Sequence, residues 1–139
     1  KHSVWMLPSK RRTNNRGVTR TMLQLRRTNT ILYCQNWEAT ADFYRNTLGL
    51  PVSFANDWFV EFALHAEAHL SIADAARASI AAVEGQGITL AWQVEDLASV
   101  RGELEAAGVA VSPIKRRWGA WVCYCHDPEG HRIELWEEG

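Results

Sequence analysis

One pattern occurs twice along this chain of 139 residues, and it restricts the fold more than any other feature. Asn29–Cys34 (Asn-Thr-Ile-Leu-Tyr-Cys) is a short β-branched and aromatic run that predicts a strand. Asn36 follows as an N-cap. Trp37, Ala41, Tyr44 and Leu48 then recur at helical spacing, with Gly49 as the C-terminal cap. Pro51–Ala55, Trp58–Leu64 and His69–Asp74 read as three further strands. The order restarts at Ile88–Val94: Asp96 is the N-cap, Leu97, Val100, Leu104 and Ala107 form one helix face, and Gly108 ends the helix. Val109–Pro113, Ala120–His126 and Arg132–Glu137 are the next three strands. The two N-caps lie 60 residues apart and the two capping glycines 59, and Leu-Gly-Leu-Pro-Val at 48–52 matches Ala-Gly-Val-Ala-Val at 107–111.

The expected fold class is therefore α+β: two tandem βαβββ modules, about 28–75 and 87–138, joined by an Ala-rich linker near 73–87 within one domain spanning 28–139. Each helix covers one face of its small sheet, so the other face is buried elsewhere or lines a cavity. Two such sheets with their uncovered faces inward form a curved mixed sheet around a shared cavity, the natural place for a ligand.

Charge sets the first 27 residues apart. Eight of the fifteen Lys and Arg residues lie in this N-terminal extension, which has no acid; the rest of the chain carries seven bases against sixteen acids, a net charge of −9. The acidic part is a poor nucleic-acid partner, since phosphate binding needs a positive face. The basic extension lacks the apolar core of a secretory signal. It stays open as a targeting peptide, an RNA-binding arm, an oligomer clasp or a non-native extension, with Met22 a candidate start just before the first strand. No apolar run approaches the ~18 residues of a membrane-crossing helix. Three cysteines without C-x-x-C spacing fit neither a disulfide scaffold nor a metal cage, and the expectation is a reduced, cytoplasmic protein.

Asp42-Phe43-Tyr44 followed by Leu48-Gly49-Leu50-Pro51, together with the ending Asp127-Pro128-Glu129-Gly130-His131-Arg132-Ile133-Glu134-Leu135, resembles the vicinal-oxygen-chelate superfamily. Its members include glyoxalase I, extradiol dioxygenases, fosfomycin-resistance transferases and bleomycin-resistance proteins. The resemblance covers about residues 28–138 and implies the paired βαβββ fold, but a fold shared by many chemistries does not settle the reaction. Family enzymes hold a divalent metal on four inward strand positions. The resemblance carries these onto Asn29, Ser71, Thr89 and Glu134, with His69 reachable by a shift of register. Only Glu134 is a good ligand for a divalent ion; Asn, Ser and Thr are weak neutral donors. The expectation is no metal site and no cofactor. The resemblance also implies a homodimer.

With Asn29 inward, strand alternation sorts the remaining positions. Asn29, Tyr33, His69, Ser71, Thr89, Gln93, Arg132 and Glu134 form a hydrogen-bonding wall, spaced by Ile31, Ala73, Ala91 and Trp136. Leu32, Cys34, Leu90, Trp92, Ile133 and Leu135 face the helices. A strand face meant only for packing is mostly aliphatic, so this wall calls for water or a ligand. Glu134 is the candidate catalytic residue: a general base, an acceptor for a ligand, or a salt-bridge partner of Arg132. Glu61 faces either the same space or solvent. Trp58, Trp118, Trp121 and Trp136 fall near the mouth, where flat rings favour aromatic ligands and cations; Trp37 and Trp92 belong to the core. Lys115-Arg116-Arg117 reads as a solvated loop or an anion clamp, and His126 and His131 as structural or exposed. Cys34 is assigned to the core, and alternation leaves open which face Cys123 and Cys125 share.

Three functions follow. The first is a glyoxalase- or bleomycin-resistance-like protein that binds a small aromatic or amphipathic molecule in a metal-free cavity. The second is a metal-dependent lyase or dioxygenase with an atypical centre. The third is a non-catalytic interaction protein using its basic arm.

Overall fold

The computed structural model describes residues 22–139, preceded by two short antiparallel strands, Arg12–Thr13 and Thr19–Arg20. The rest of 1–21 lies outside the described residues, and with it the expectations for the basic arm. The first module runs β1 (Thr28–Cys34), α1 (Trp37–Asp42), β2 (Val52–Ala55), β3 (Phe59–His65) and β4 (Ala68–Asp74). The second runs β5 (Thr89–Gln93), α2 (Leu97–Ala106), β6 (Lys115–Arg117), β7 (Ala120–His126) and β8 (Arg132–Glu138). The orders are β1-β4-β3-β2 and β5-β8-β7-β6. In each sheet the first and last strands of the module pair in parallel and the other pairs are antiparallel. This is the anticipated α+β duplication of βαβββ units.

The helix-facing sides of both sheets share one core. Leu32, Cys34, Phe62, Leu70 and Ile72 of the first module join Leu90, Leu97, Cys123, Cys125, Ile133 and Leu135 of the second. Strand alternation puts the wall residues on the opposite faces. The structure holds two separate four-stranded sheets, with β1 and β5 at their ends, and no strand pairing continues one sheet into the other among the described residues.

The second half of the first helix departs from simple periodicity. After Asp42 the chain widens into a π-helical turn, Phe43–Thr47, in which the Leu48 N–H donates to the Phe43 carbonyl at 2.9 Å. The extra residue per turn rotates the face. Adjacent Phe43 and Tyr44 are both buried, while Trp37 and Leu48 only pack against the core. Gly49 and Gly108 close the two helices at φ +70° and +84°, the left-handed region cheap for glycine.

The helix N-termini are satisfied differently. Asp96 accepts from the Ser99 N–H at 3.1 Å, as expected, and Glu137 takes the Leu97 N–H at 2.8 Å. Asn36 makes no side-chain cap. Instead Glu129, on the turn before β8, accepts the Gln35 and Asn36 N–H groups, each at 2.9 Å. A carboxylate at a helix start is favourable toward both the orphan donors and the dipole.

No strand forms over 109–113; the edge strand is β6, at Lys115–Arg117. Pro113 lacks a ladder donor, and Arg101 takes up the Ser112 and Val111 carbonyls at 2.8 and 3.1 Å. Ser112 still meets β7 at Tyr124, donating its N–H to the Tyr124 carbonyl and accepting the Tyr124 N–H on its hydroxyl. The charged run anticipated as a loop is thus an exposed sheet edge, where like charges discourage pairing with another chain.

Candidate functional site

Asn29 and Ser71 on the first sheet, and Thr89, Arg132 and Glu134 on the second, make side-chain hydrogen bonds within their own sheet. On the first, the Ser71 hydroxyl donates to Asn29 Oδ1 at 2.7 Å, and Asn29 Nδ2 donates to Glu61 at 3.3 Å. β3 presents Glu61 on this face because it pairs with Ser71. That decides between the two orientations open for Glu61 and makes it the hub that alternation alone did not identify. Its carboxylate also accepts from Ser53 Oγ at 2.7 Å and from the Arg27 guanidinium. The Arg27 and Ser53 hydrogen bonds hold its pKa below the ordinary glutamate value. Tyr33 is half-buried on the same face, and His69 sits opposite Asn29 in register with Nδ1 buried and without a hydrogen-bond partner.

On the second sheet Arg132 Nε donates to the Thr89 hydroxyl at 2.9 Å, and its guanidinium lies 4.8 Å from the centre of the Tyr124 ring. Glu134 is buried, 4% exposed, and pairs in register with Tyr124, whose hydroxyl donates to it. Burial first, then the charge and hydrogen bonding of Glu134, push the Tyr124 phenol above its ordinary pKa. Gln93 is exposed. With Ala91, Ala120 and Trp136 it lines an open cavity of about 640 Å³ on this sheet's outer face. A second cleft, about 270 Å³, lies on the helix side between Leu48, Leu50, Trp92 and Leu104; it is largely apolar and belongs to the module joint.

The aromatic expectations divide. Trp37 and Trp92 pack on the core. Trp136 is on the Glu134 face, and Trp58 packs edge-on against Phe59 at 5.5 Å between centroids. Trp118 sits in the β6–β7 turn at φ +53°. Trp121 alternates onto the opposite face with Cys123 and stacks with Arg116 at 5.1 Å, so it is not part of the wall. Burial pushes the Cys34 thiol up to about 12 and the Cys125 thiol to about 11, and raises Cys123. Protonated and buried, these thiols are packing residues rather than nucleophiles.

The metal positions implied by the resemblance hold one carboxylate. Asn29 and Ser71 bond each other, and Thr89 bonds a guanidinium. That set is unsuited to a divalent ion: three donors are neutral and a fixed positive charge lies against one of them. Among the described residues no group of three or more His, Cys, Asp or Glu is placed to hold a metal.

Residues 25–135 match the model of the Glyoxalase/Bleomycin resistance protein/Dioxygenase superfamily. The chain belongs to this superfamily. Solved structures agree on the fold. A lactoylglutathione lyase from Agrobacterium tumefaciens superposes with a TM-score of 0.65 at 23% identity, covering 78% of this chain and 90% of that one. A glyoxalase/bleomycin resistance protein/dioxygenase from Nocardioides gives 0.71 at 22% identity, with coverage of 85% and 86%. TnmS3, an antibiotic-binding protein from Streptomyces sp. CB03234, gives 0.72 at 20% identity, with coverage of 85% and 99%. No curated protein matches the chain. Among the described residues no helix is long and apolar enough to cross a membrane.

Proposed function

We propose that this superfamily member is a metal-independent receptor for a small aromatic or amphipathic molecule. The observation that carries the reading is the make-up of the two outer faces. Each sets a hydrogen-bonded carboxylate, Glu61 or Glu134, beside aromatic side chains: Phe54 and Phe59 on one, Tyr124 and Trp136 on the other. Phe54 is exposed and the other three rings are half-buried, and polar groups on a sheet face next to such rings suit a ligand that is flat and carries few, well-placed polar atoms. TnmS3, a structural neighbour, is an antibiotic-binding protein, and this supports a small-molecule ligand for the present chain.

Two copies of the chain complete the cavity in this reading. Each monomer offers half a wall per sheet, and β1 and β5 end their sheets with Ile31 and Ala91 exposed beside them. Docking β1 of one copy toward β5 of another brings a first-sheet wall across from a second-sheet wall. The free, buried thiols fit a reducing compartment, and we place the protein in the cytoplasm.

Calorimetric titration with 1-naphthylmethanol tests the reading. Binding is expected in metal-chelated protein, with sedimentation as a dimer, and is expected to fall at least tenfold in Glu134→Gln while the unfolding temperature is held. Stoichiometric divalent metal bound through Glu134, or no binding at all, refutes it.

A further inference from the structure

Arg27 is the least expected member of the first-sheet cluster. It precedes β1, in a stretch without regular structure, yet its guanidinium pairs with Glu61, a carboxylate whose side chain is 12% exposed. The Arg27 side chain is itself 43% exposed. Glu61 is otherwise held from below: Ser53 and Asn29 bond its two oxygens from β2 and β1. Phe54 is its direct cross-strand neighbour and is 53% exposed, and Phe59 lies two residues back on the same face, 6.3 Å from Phe54 between ring centroids. A fixed carboxylate beside an exposed ring, Phe54, and a half-buried one, Phe59, is a pairing that recognises an organic cation, with one group taking the charge and the other the apolar body.

We propose that this face binds a small aromatic cation, an ammonium or amidinium, whose charged group replaces the Arg27 guanidinium on Glu61 while its ring packs on Phe54 and Phe59. Arg27 then acts as an internal occupant, covering the carboxylate until a ligand arrives. The exchange is cheap because the arriving cation takes over the ion pair that Arg27 gives up to water, whereas a ligand ring covering Phe54 adds apolar burial. Ser53 and Asn29 keep the carboxylate aimed throughout. The inference rests on the receptor reading above and sharpens its ligand class.

Three probes of one shape decide it by calorimetry: 1-naphthylmethylammonium, 1-naphthylmethanol and 1-naphthylacetate. The wild-type chain is expected to bind the ammonium at least fivefold more tightly than the alcohol, and the acetate most weakly. Arg27→Ala removes the competing guanidinium and is expected to raise the ammonium-to-alcohol affinity ratio about threefold. Glu61→Gln is expected to bring that ratio to about one. If the alcohol binds but the ammonium gains nothing over it, or if Arg27→Ala lowers the ratio, this inference falls and the receptor reading stands. If none of the three binds, both fall. Should Glu61→Gln unfold, the Arg27 variant decides alone, since that side chain is 43% exposed and precedes the first strand.

Discussion

Two carboxylates in this molecule are each surrounded by donors, yet they do opposite things. Asp127 lies at the joint between the modules. One of its oxygens accepts the Glu129, Gly130 and His131 N–H groups at 2.9–3.0 Å; the other meets the Tyr44 hydroxyl and His131 Nδ1, each at 2.8 Å. Three of these donors are backbone and the other two are buried side chains, so none can swing away. Glu61 is held only by side chains, and its strongest partner is a long arginine half in water. Saturation by rigid donors makes a structural joint, whereas attachment to a partly solvated arginine makes an exchangeable site. Counting hydrogen bonds does not separate the two; the stiffness and exposure of the donors does.

The sharpest way to break the contrast is Asp127→Ala. It strands a buried phenol and three backbone N–H groups, and should cost about 3–4 kcal/mol of stability in denaturant unfolding. Asp127→Asn keeps an acceptor and should cost about half of that. Protonation makes the same test without mutation. Burial works to raise the Asp127 pKa, but the His131 and Tyr44 hydrogen bonds outweigh it, and the net value lies below the ordinary 3.8. A depressed folded pKa contributes stability above the unfolded value and loses it as pH falls through the folded one. Unfolding temperature should therefore drop steeply below about pH 4, and this component of the drop should vanish in Asp127→Asn.

Smaller effects belong to the single contacts that tie the two modules together at this joint. Tyr44→Phe keeps the ring in the core but removes one donor, and should cost about 1–2 kcal/mol. Glu129→Ala leaves the start of α1 uncapped, for about 1 kcal/mol. The linker supports this joint too. A Cβ on Gly85 would sit 2.2 Å from the Gly130 carbonyl carbon, so Gly85 lets two backbones touch behind the Asp127 turn.

How much of this the sequence could announce follows from the range of each interaction. The duplicated units, both capping glycines and the division of strand residues between core and wall are local periodicities. Leu32, Cys34, Leu90, Ile133 and Leu135 are buried on the face alternation gives them. The Glu129 cap on α1 joins residues 93 and 94 positions apart, and the Arg27–Glu61 pair spans 34. No local spacing encodes either. Glu61 was ambiguous because Phe59–Leu64 is apolar on both faces, and only pairing with Ser71 fixes its direction. Lys115–Arg117 misled because like charges mark solvated loops and guarded sheet edges equally well. The π-turn in the first helix has no composition signal of its own; the burial of both Phe43 and Tyr44 reveals it.

The other side of the contrast gives the smallest stability change and the most diagnostic one. Arg27→Ala removes an ion pair whose cation is 43% exposed and leaves Glu61 its Ser53 and Asn29 donors, and should alter unfolding free energy by no more than about 1 kcal/mol. High salt should weaken the same pair in the wild-type chain and leave the Asp127 joint almost untouched, because buried pairs are poorly screened. Chemical denaturation of wild type and Arg27→Ala in low salt and in 1 M salt measures both. A change above about 2 kcal/mol for Arg27→Ala would make its guanidinium a structural element like Tyr44. The Glu61 face would then be a second joint rather than a place where one cation exchanges for another.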